Sequence, residues 1–184
     1  MSPSPLDTFR TDRLIAERLR PHHRADYVRM FEDARVMATL SPDGQPLPPE
    51  EAARWLQFSL DHWERHGYGY WAIRTSDLNQ FAGRAGLKSA EVNGKPEVEL
   101  AYAFLPEFWG QGLATEISWA ILQRAFEDLG LREVVCFTLT TNVASQRVMQ
   151  KLGFQFERAG VHVNLPHVFY RLRADEFAGR GRLA

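Results

Sequence analysis

With 184 residues, 45% of them hydrophobic and 24% charged, the chain has the size and balance of one globular domain. Its formal net charge of −1 argues against a protein whose main task is neutralising nucleic-acid phosphate, and no apolar run approaches the roughly 18 residues that span a bilayer. The single cysteine, Cys136, excludes an internal disulfide and points to a reducing compartment; with no signal peptide visible at the N-terminus, a cytoplasmic location is expected.

Residues 1–10 are polar, carry two prolines and read as loose. Leu14, Ala16 and Leu19 read as a first strand ended by Pro21. Tyr27, Met30, Phe31, Ala34 and Met37 recur at three- and four-residue steps, which predicts one amphipathic helix over 24–37. The stretch 41–49 is rich in turn residues and reads as an exposed loop. Residues 50–66 are helical again, with Ala52, Trp55, Leu56, Ser59 and Trp63 on one side. The period then changes to that of strands, predicted at 68–74, 81–88 and 98–105 with polar turns between them. Residues 115–129 form a strongly amphipathic helix, and Gly130 suits its left-handed stop. The nearly continuous apolar run 134–139 has the pattern of a strand buried on both faces. Asn142 opens a short helix that Gly153 ends, and strands at 154–158 and 167–173 close the chain. The order β-α-α-β-β-β-α-β-α-β-β implies a mixed α/β sheet with helices on both faces, in a single domain over 8–175 with 1–7 and 176–184 loose.

Chemistry concentrates in 99–116, where a strand runs through a turn and a glycine-bearing loop into a helix. A helix N-terminus offers unpaired N–H groups and about half a positive charge. Gly110 and Gly112 allow close backbone approach and unusual φ angles, so a phosphate or pyrophosphate is the guest this chemistry suits. No Lys-Ser/Thr follows the glycines, which excludes a Walker loop, and Thr115 breaks the dinucleotide G-x-G-x-x-G. A strand-to-helix turn without a ligand has the same local sequence.

Gly110-Gln-Gly-Leu-Ala resembles the Gly-x-Gly-x-Ala/Gly pyrophosphate loop of the GCN5-related N-acetyltransferases (GNAT), and the wider context resembles their RimJ/RimL-like branch. Thr11-Asp-Arg-Leu-Ile-Ala-Glu-Arg-Leu-Arg, Gly69-Tyr-Trp-Ala-Ile-Arg with Gly83-Arg-Ala-Gly-Leu, the 99–116 stretch, and Asn142-Val-Ala-Ser-Gln-Arg-Val-Met-Gln-Lys-Leu-Gly-Phe follow in that branch's order, over about residues 8–173. The resemblance implies the GNAT fold, a largely antiparallel mixed sheet splayed between its fourth and fifth main strands. It implies that the backbone of Tyr102, Ala103 and Phe104 pairs with the pantetheine arm of acetyl-CoA. The segment Trp109, Gly110, Gln111, Gly112, Leu113, Ala114 and Thr115 would hold the pyrophosphate, with Trp109 where the family usually has Gln or Arg. Asn142 and Ser145 fall on the family's Asn-x-x-Ser, Asn142 touching the arm while opening its helix; local sequence also reads it as an ordinary N-cap. Met149 stands where some relatives place a proton-donating tyrosine, so the resemblance leaves Ser145 as the general acid. Glu99 would be the base, acting through water; the other reading is a solvated carboxylate beside Glu97 on the same strand face.

The remaining polar features have plainer readings. His62 and His66 lack the H-E-x-x-H order and read as a solvated helix face; His22, His23, His162 and His167 show no ligand spacing, and no metal is expected. Cys136 reads as a small core residue. Trp55, Trp63, Tyr68, Tyr70 and Trp71 are core or groove-lining residues, and Arg10, Arg13, Arg18, Arg20 and Arg24 a solvated strand edge. The function implied is direct transfer of an acetyl group from acetyl-CoA to a primary amine, either a peptide N-terminus or a small amine. An α-amino group, with a pKa near 7.7–8.0, is about one-tenth neutral at pH 7 and suits a weak, water-relayed base better than lysine does. The competing readings are a non-catalytic CoA-binding sensor and an acyltransferase for a longer acyl-CoA such as succinyl-CoA. Expected partners are acetyl-CoA and the amine acceptor, with no nucleic acid and no membrane; a homodimer is left open.

Overall fold

The structure is a computed structural model that describes residues 6–41, 43–92 and 94–179; the loose ends expected at 1–5 and 180–184 lie outside the described residues, as do the turn residues Pro42 and Asn93. Eight strands form one sheet in the order β1-β2-β3-β4-β5-β6-β8-β7. They are β1 (Thr8–Arg10), β2 (Leu14–Arg18), β3 (Tyr70–Thr75), β4 (Phe81–Val92), β5 (Lys95–Phe104), β6 (Glu133–Leu139), β7 (Gln155–His162) and β8 (Leu165–Arg173). Every neighbouring pair is antiparallel except β5–β6, which is parallel. The helices are α1 (Arg24–Phe31), α2 (Ala34–Met37), α3 (Pro49–His66), α4 (Leu113–Gln123), α5 (Val143–Leu152) and α6 (Ala174–Ala178). None among the described residues is long and apolar enough to cross a membrane.

Both faces of the sheet are covered, each by its own apolar cluster. On one face Trp71, Ile73, Leu87 and Leu100 pack with Ile117, Ile121 and Leu122 of α4 and with Met149 and Leu152 of α5. On the other, Tyr70, Ala72 and Ala103 pack with Tyr27, Met30 and Phe31 of α1 and with Ala52 and Leu56 of α3. Each fully buried large side chain contributes about 1.5–3 kcal/mol of transfer free energy, so the two clusters lock the sheet between its helices. α3 carries the expected end signals: Pro49 opens it, Glu50 and Glu51 lie in its first turn, and Gly67 ends it at φ 72°.

Several expectations are corrected. The helix predicted over 24–37 is two helices, because Asp33 leaves helical geometry and its Oδ1 accepts from Arg35 N–H, capping α2. Thr8–Arg10 is not loose; it pairs with β2, and ahead of it the Leu6 carbonyl accepts from Trp71 Nε1. The expected loose end likewise contains α6, whose Phe177 is buried against Trp119 and Phe126. The helix read through 129 starts at Leu113, straight out of the glycine loop as that loop's sequence implied, but widens into a π-helical turn at Arg124–Asp128. His62 is not a solvated residue: its Nε2 accepts from Ser89 N–H, which leaves Nδ1 to donate to the Tyr68 carbonyl and ties α3 to β4.

Candidate active site

The site is built around the place where β5 and β6 part within the sheet. β5 pairs with β4 along its whole length, but with β6 only at Glu99–Val135. Beyond that row the two strands diverge. The Leu105 N–H donates to the Ala82 carbonyl, which fixes the phase of the β4–β5 ladder. By antiparallel alternation, Ala103 turns its N–H and C=O toward β4, whereas Tyr102 and Phe104 turn theirs toward the opening. Of the three residues expected to offer backbone to a pantetheine arm, Tyr102 and Phe104 therefore have the right orientation, and Ala103 supports them. The Phe104 carbonyl already accepts from the half-exposed Trp109 indole at 2.7 Å.

At the end of β5 the chain turns through Pro106–Phe108 and enters the glycine loop. Gly110 and Gly112 have φ of 73° and 77°, the left-handed region that glycine enters without cost. A Cβ at Gly110 would meet nothing within 4 Å, and one at Gly112 only Arg13 Nη2 at 3.7 Å. Both glycines thus border open space and are required by conformation. No side chain caps α4, so its first N–H groups, from Gly112 through Thr115, have no intrahelical acceptor. Leu113 is buried and anchors the helix, and the Gln111 side chain is spent on the Glu107 carbonyl. The loop fits a pyrophosphate: bare donors, a helix dipole and no obstructing Cβ.

Arg13 adds a cation that the sequence reading assigned to a solvated strand edge. Its Nη1 donates to the Gln111 carbonyl at 2.9 Å and its Nε to Glu116 Oε2 at 2.7 Å, while Glu116 Oε1 accepts from Arg13 N–H and from Thr11 Oγ1. Burial alone would raise the Glu116 carboxyl, but these hydrogen bonds and the guanidinium outweigh it and hold the group below its ordinary value. The Thr11-Asp-Arg stretch was visible in the sequence; its contact with a loop about a hundred residues away was not.

Glu99 is 5% exposed, which rules out the solvated-pair reading. Glu97, on the same face, is engaged by Arg171 at 2.8 Å and 3.1 Å, a guanidinium that also binds Glu133 and Glu157. Glu99 instead faces Lys88, its register partner, whose Nζ lies 3.1 Å from Oε2. Apart from this ion pair no donor among the described residues meets Oε2, so it keeps accepting capacity. Burial pushes the Glu99 carboxyl above its ordinary value, while Lys88, Arg84 and His167 pull it down.

On the opposite face of β5, Ser145 and Tyr102 meet. Asn142 caps α5, its Oδ1 accepting from Ser145 N–H at 3.1 Å, as its local sequence suggested. The Tyr102 hydroxyl lies 2.8 Å from Ser145 Oγ and donates to the Ser145 carbonyl at 3.2 Å. Burial, reinforced by the Cys136 thiol, pushes the Tyr102 hydroxyl well above its usual value, so it stays protonated. The phenol has a single proton: when it turns from the carbonyl to Oγ, the Ser145 proton is released to point elsewhere, and when it stays on the carbonyl, Ser145 donates to the phenol oxygen. Met149 is wholly buried in the core, and Cys136, also buried, has its thiol pushed up by burial. No periodicity announces the Tyr102 hydroxyl as a partner of Ser145. Among the described residues one group of possible metal ligands occurs, Glu17 with His22 and His23, far along the sheet from this opening.

Residues 13–155 match the acetyltransferase (GNAT) domain family. The chain is 31% identical over 155 residues to the FsC-acetyl coenzyme A-N(2)-transacetylase of Aspergillus fumigatus, an alignment covering 79% of this chain. It spans 64% of that relative's length. Its fold is similar to that of the acetyltransferase from Agrobacterium tumefaciens strain C58, with a TM-score of 0.77 and 22% identity over 90% of this chain and 94% of that one. It is similar also to RimL, the ribosomal L7/L12 alpha-N-protein acetyltransferase solved with coenzyme A, with a TM-score of 0.74 and 18% identity over 90% and 97%. At such identities these likenesses speak for the fold alone.

Proposed function

The chain belongs to the GNAT acetyltransferase family, and on that premise we propose that it transfers an acetyl group from acetyl-CoA to a primary amine, with Glu99 and Ser145 acting from opposite faces of β5. The observation that carries this reading is the parting of β5 from β6 immediately after Glu99, which leaves an opening with a buried carboxylate on one face and a tyrosine-backed serine on the other.

Acetyl-CoA, when bound, supplies the activated acetyl group and a thiolate leaving group. The N–H groups of the 110–115 segment, with Arg13 beside them, offset pyrophosphate charge, and the Tyr102 and Phe104 backbone offers strand-like pairing to an extended arm. Glu99 accepts a proton from the incoming ammonium, directly or through one water; its raised pKa brings it closer to the working pH than an ordinary carboxylate. Lys88 keeps enough of it ionised to serve. Ser145 Oγ, oriented by Tyr102, holds a proton on the other face for the departing sulfur. Approach from one face and departure on the other requires no acyl-enzyme.

The RimJ/RimL-like resemblance supports a peptide or protein N-terminus as acceptor, and the higher neutral fraction of an α-amine supports it independently. A thiol-release assay tests this with acetyl-CoA and short peptides with free or blocked N-termini, each carrying an internal lysine, beside spermidine and an aminoglycoside. Turnover of the free-N-terminus peptide alone is the expected result. Acetylation of the blocked peptide at lysine, or turnover with the small amines only, contradicts the N-terminal acceptor. Thiol release from no amine favours a CoA-binding sensor, and faster turnover with succinyl-CoA favours a longer acyl donor.

A further inference from the structure

The Gly83-Arg-Ala-Gly-Leu stretch of β4 carries a cation that catalysis as described leaves unused. Arg84 pairs with Ala103 and Lys88 with Glu99 on one ladder, and residues at even spacing share a sheet face, so Arg84, Lys88 and Glu99 look the same way. The Arg84 guanidinium lies over the rings of Tyr70 at 4.1 Å, Phe31 at 4.9 Å and Tyr27 at 5.7 Å. Its Nη1 donates to the Tyr27 hydroxyl at 3.2 Å; that hydroxyl is 3.3 Å from Ser59 Oγ, which donates to the Trp55 carbonyl. The guanidinium is therefore held in one orientation by α1, α3 and β3.

What it lacks is an anion. Among the described residues no carboxylate forms an ion pair with Arg84, and Nε, which is fully buried, has no acceptor. Nη2 likewise has no acceptor among the described residues. Burying a cation without a counter-ion is costly, and ring stacking offsets only part of that cost. The bond to Tyr27 uses Nη1 and spares the side-on edge, where Nε–H and Nη2–H run parallel at the spacing of two carboxylate oxygens. Glu97 on this face is already matched by Arg171, so Arg84 and Lys88 have Glu99 as the carboxylate beside them, which disfavours polycationic amines. Tyr70, under the guanidinium, pairs with Gly86, one same-face step from the Lys88–Glu99 row and about 7 Å along the strand. Two charge-assisted hydrogen bonds of about 2.8 Å and a short amino-acid skeleton between them fill such a span.

We propose that Arg84 is the carboxylate anchor of the acceptor site, and that the acceptor is a primary amine bearing a carboxylate a few bonds away. The carboxylate meets the guanidinium at Nη2, Nε–H joining as the groups that cover it give way, and the amine is presented to Glu99. The shared chemistry has two sources, a free amino acid or a peptide whose first residue is acidic. This rests on the acceptor lying on the Glu99 face, as argued above.

Calorimetry on the full chain with CoA present tests it through product-like probes. N-acetylalanine is compared with N-acetylalaninamide, and acetyl-Glu-Ala-amide with acetyl-Gln-Ala-amide. The carboxylate member of at least one pair binds tenfold or more tightly in wild type, and which pair does so identifies the source. The preference falls below about threefold in Arg84→Gln, and also in Arg84→Lys, which keeps a charge among the rings and loses the fork; unchanged CoA affinity reports that each variant is folded. The KM of the corresponding free amine rises in both variants while kcat changes little. Equal affinity within both pairs in wild type, or a preference that survives both substitutions, overturns the proposal. Glu99→Gln leaves the calorimetric preference intact, so a Glu99 that is not the base shows in turnover alone and leaves the Arg84 result readable.

Discussion

β5 has two edges, and they differ in kind. Toward β4 it makes ten register pairs, from Gly83–Phe104 to Val92–Lys95; toward β6 it makes one. The zipped edge is built for permanence: its pairs are continuous, and Gly83 on β4 sits so close to β5 that a Cβ would fall 2.2 Å from the Ala103 carbonyl. An open edge inside a sheet leaves strong donors and acceptors unpaired, which folded chains otherwise avoid. The difference teaches that the fold keeps its rigidity on one side of a strand so that the other can offer backbone to a guest. The same strand then sorts its side chains, with Glu99 toward one face and Tyr102 toward the other.

The comparison can be broken at several points. The largest effect belongs to Glu99→Gln, expected to lower turnover about a hundredfold or more and to flatten the rise of rate with pH, with CoA affinity within threefold of wild type. An unchanged pH profile would move the base elsewhere. Gly112→Val forces a β-branched residue to a φ of 77° at the mouth of α4, and CoA affinity by calorimetry is expected to fall roughly thirtyfold or more in a folded protein. Ser145→Ala is expected to cost about tenfold in kcat and to keep the rise with pH, since the acid and not the base is lost. Lys88→Met sharpens the electrostatic side. Removing the cation removes an attraction that favours ionised Glu99, so a carboxyl already raised by burial rises further. Because the base works ionised, the rising limb of kcat/KM shifts to higher pH, and a shift to lower pH would contradict the assignment. Arg171→Met, at the hub of Glu97, Glu133 and Glu157, is expected to cost about 1–2 kcal/mol of stability in denaturant melts and to leave kcat unchanged.

What was legible in the sequence was local. α3, the apolar strand β6, the cap at Asn142 and the glycine loop all follow from periodicity or from residues whose conformational needs are specific. Even there, one Asp was enough to break a helix that the apolar spacing drew through 24–37, because a capping side chain competes with the helix and leaves the spacing intact. The site was legible only where its parts are contiguous. The opening beside β5 is a statement about register between strands about 35 residues apart, and no pattern within either strand encodes it. Arg13 on the loop, Tyr102 on Ser145 and Arg84 among three rings are likewise contacts between distant segments, written in topology. α6 escaped notice because its helix is too short to show a period and depends on Phe177 meeting Trp119.

The central claim is that the guest pairs with the open edge of β5, and residue-resolved amide hydrogen exchange tests it directly. On adding CoA, exchange at Tyr102 or Phe104 is expected to slow at least tenfold, while Ala101 and Ala103, already bonded to β4, stay unchanged. Unaltered exchange at both Tyr102 and Phe104 under saturating CoA would contradict the account.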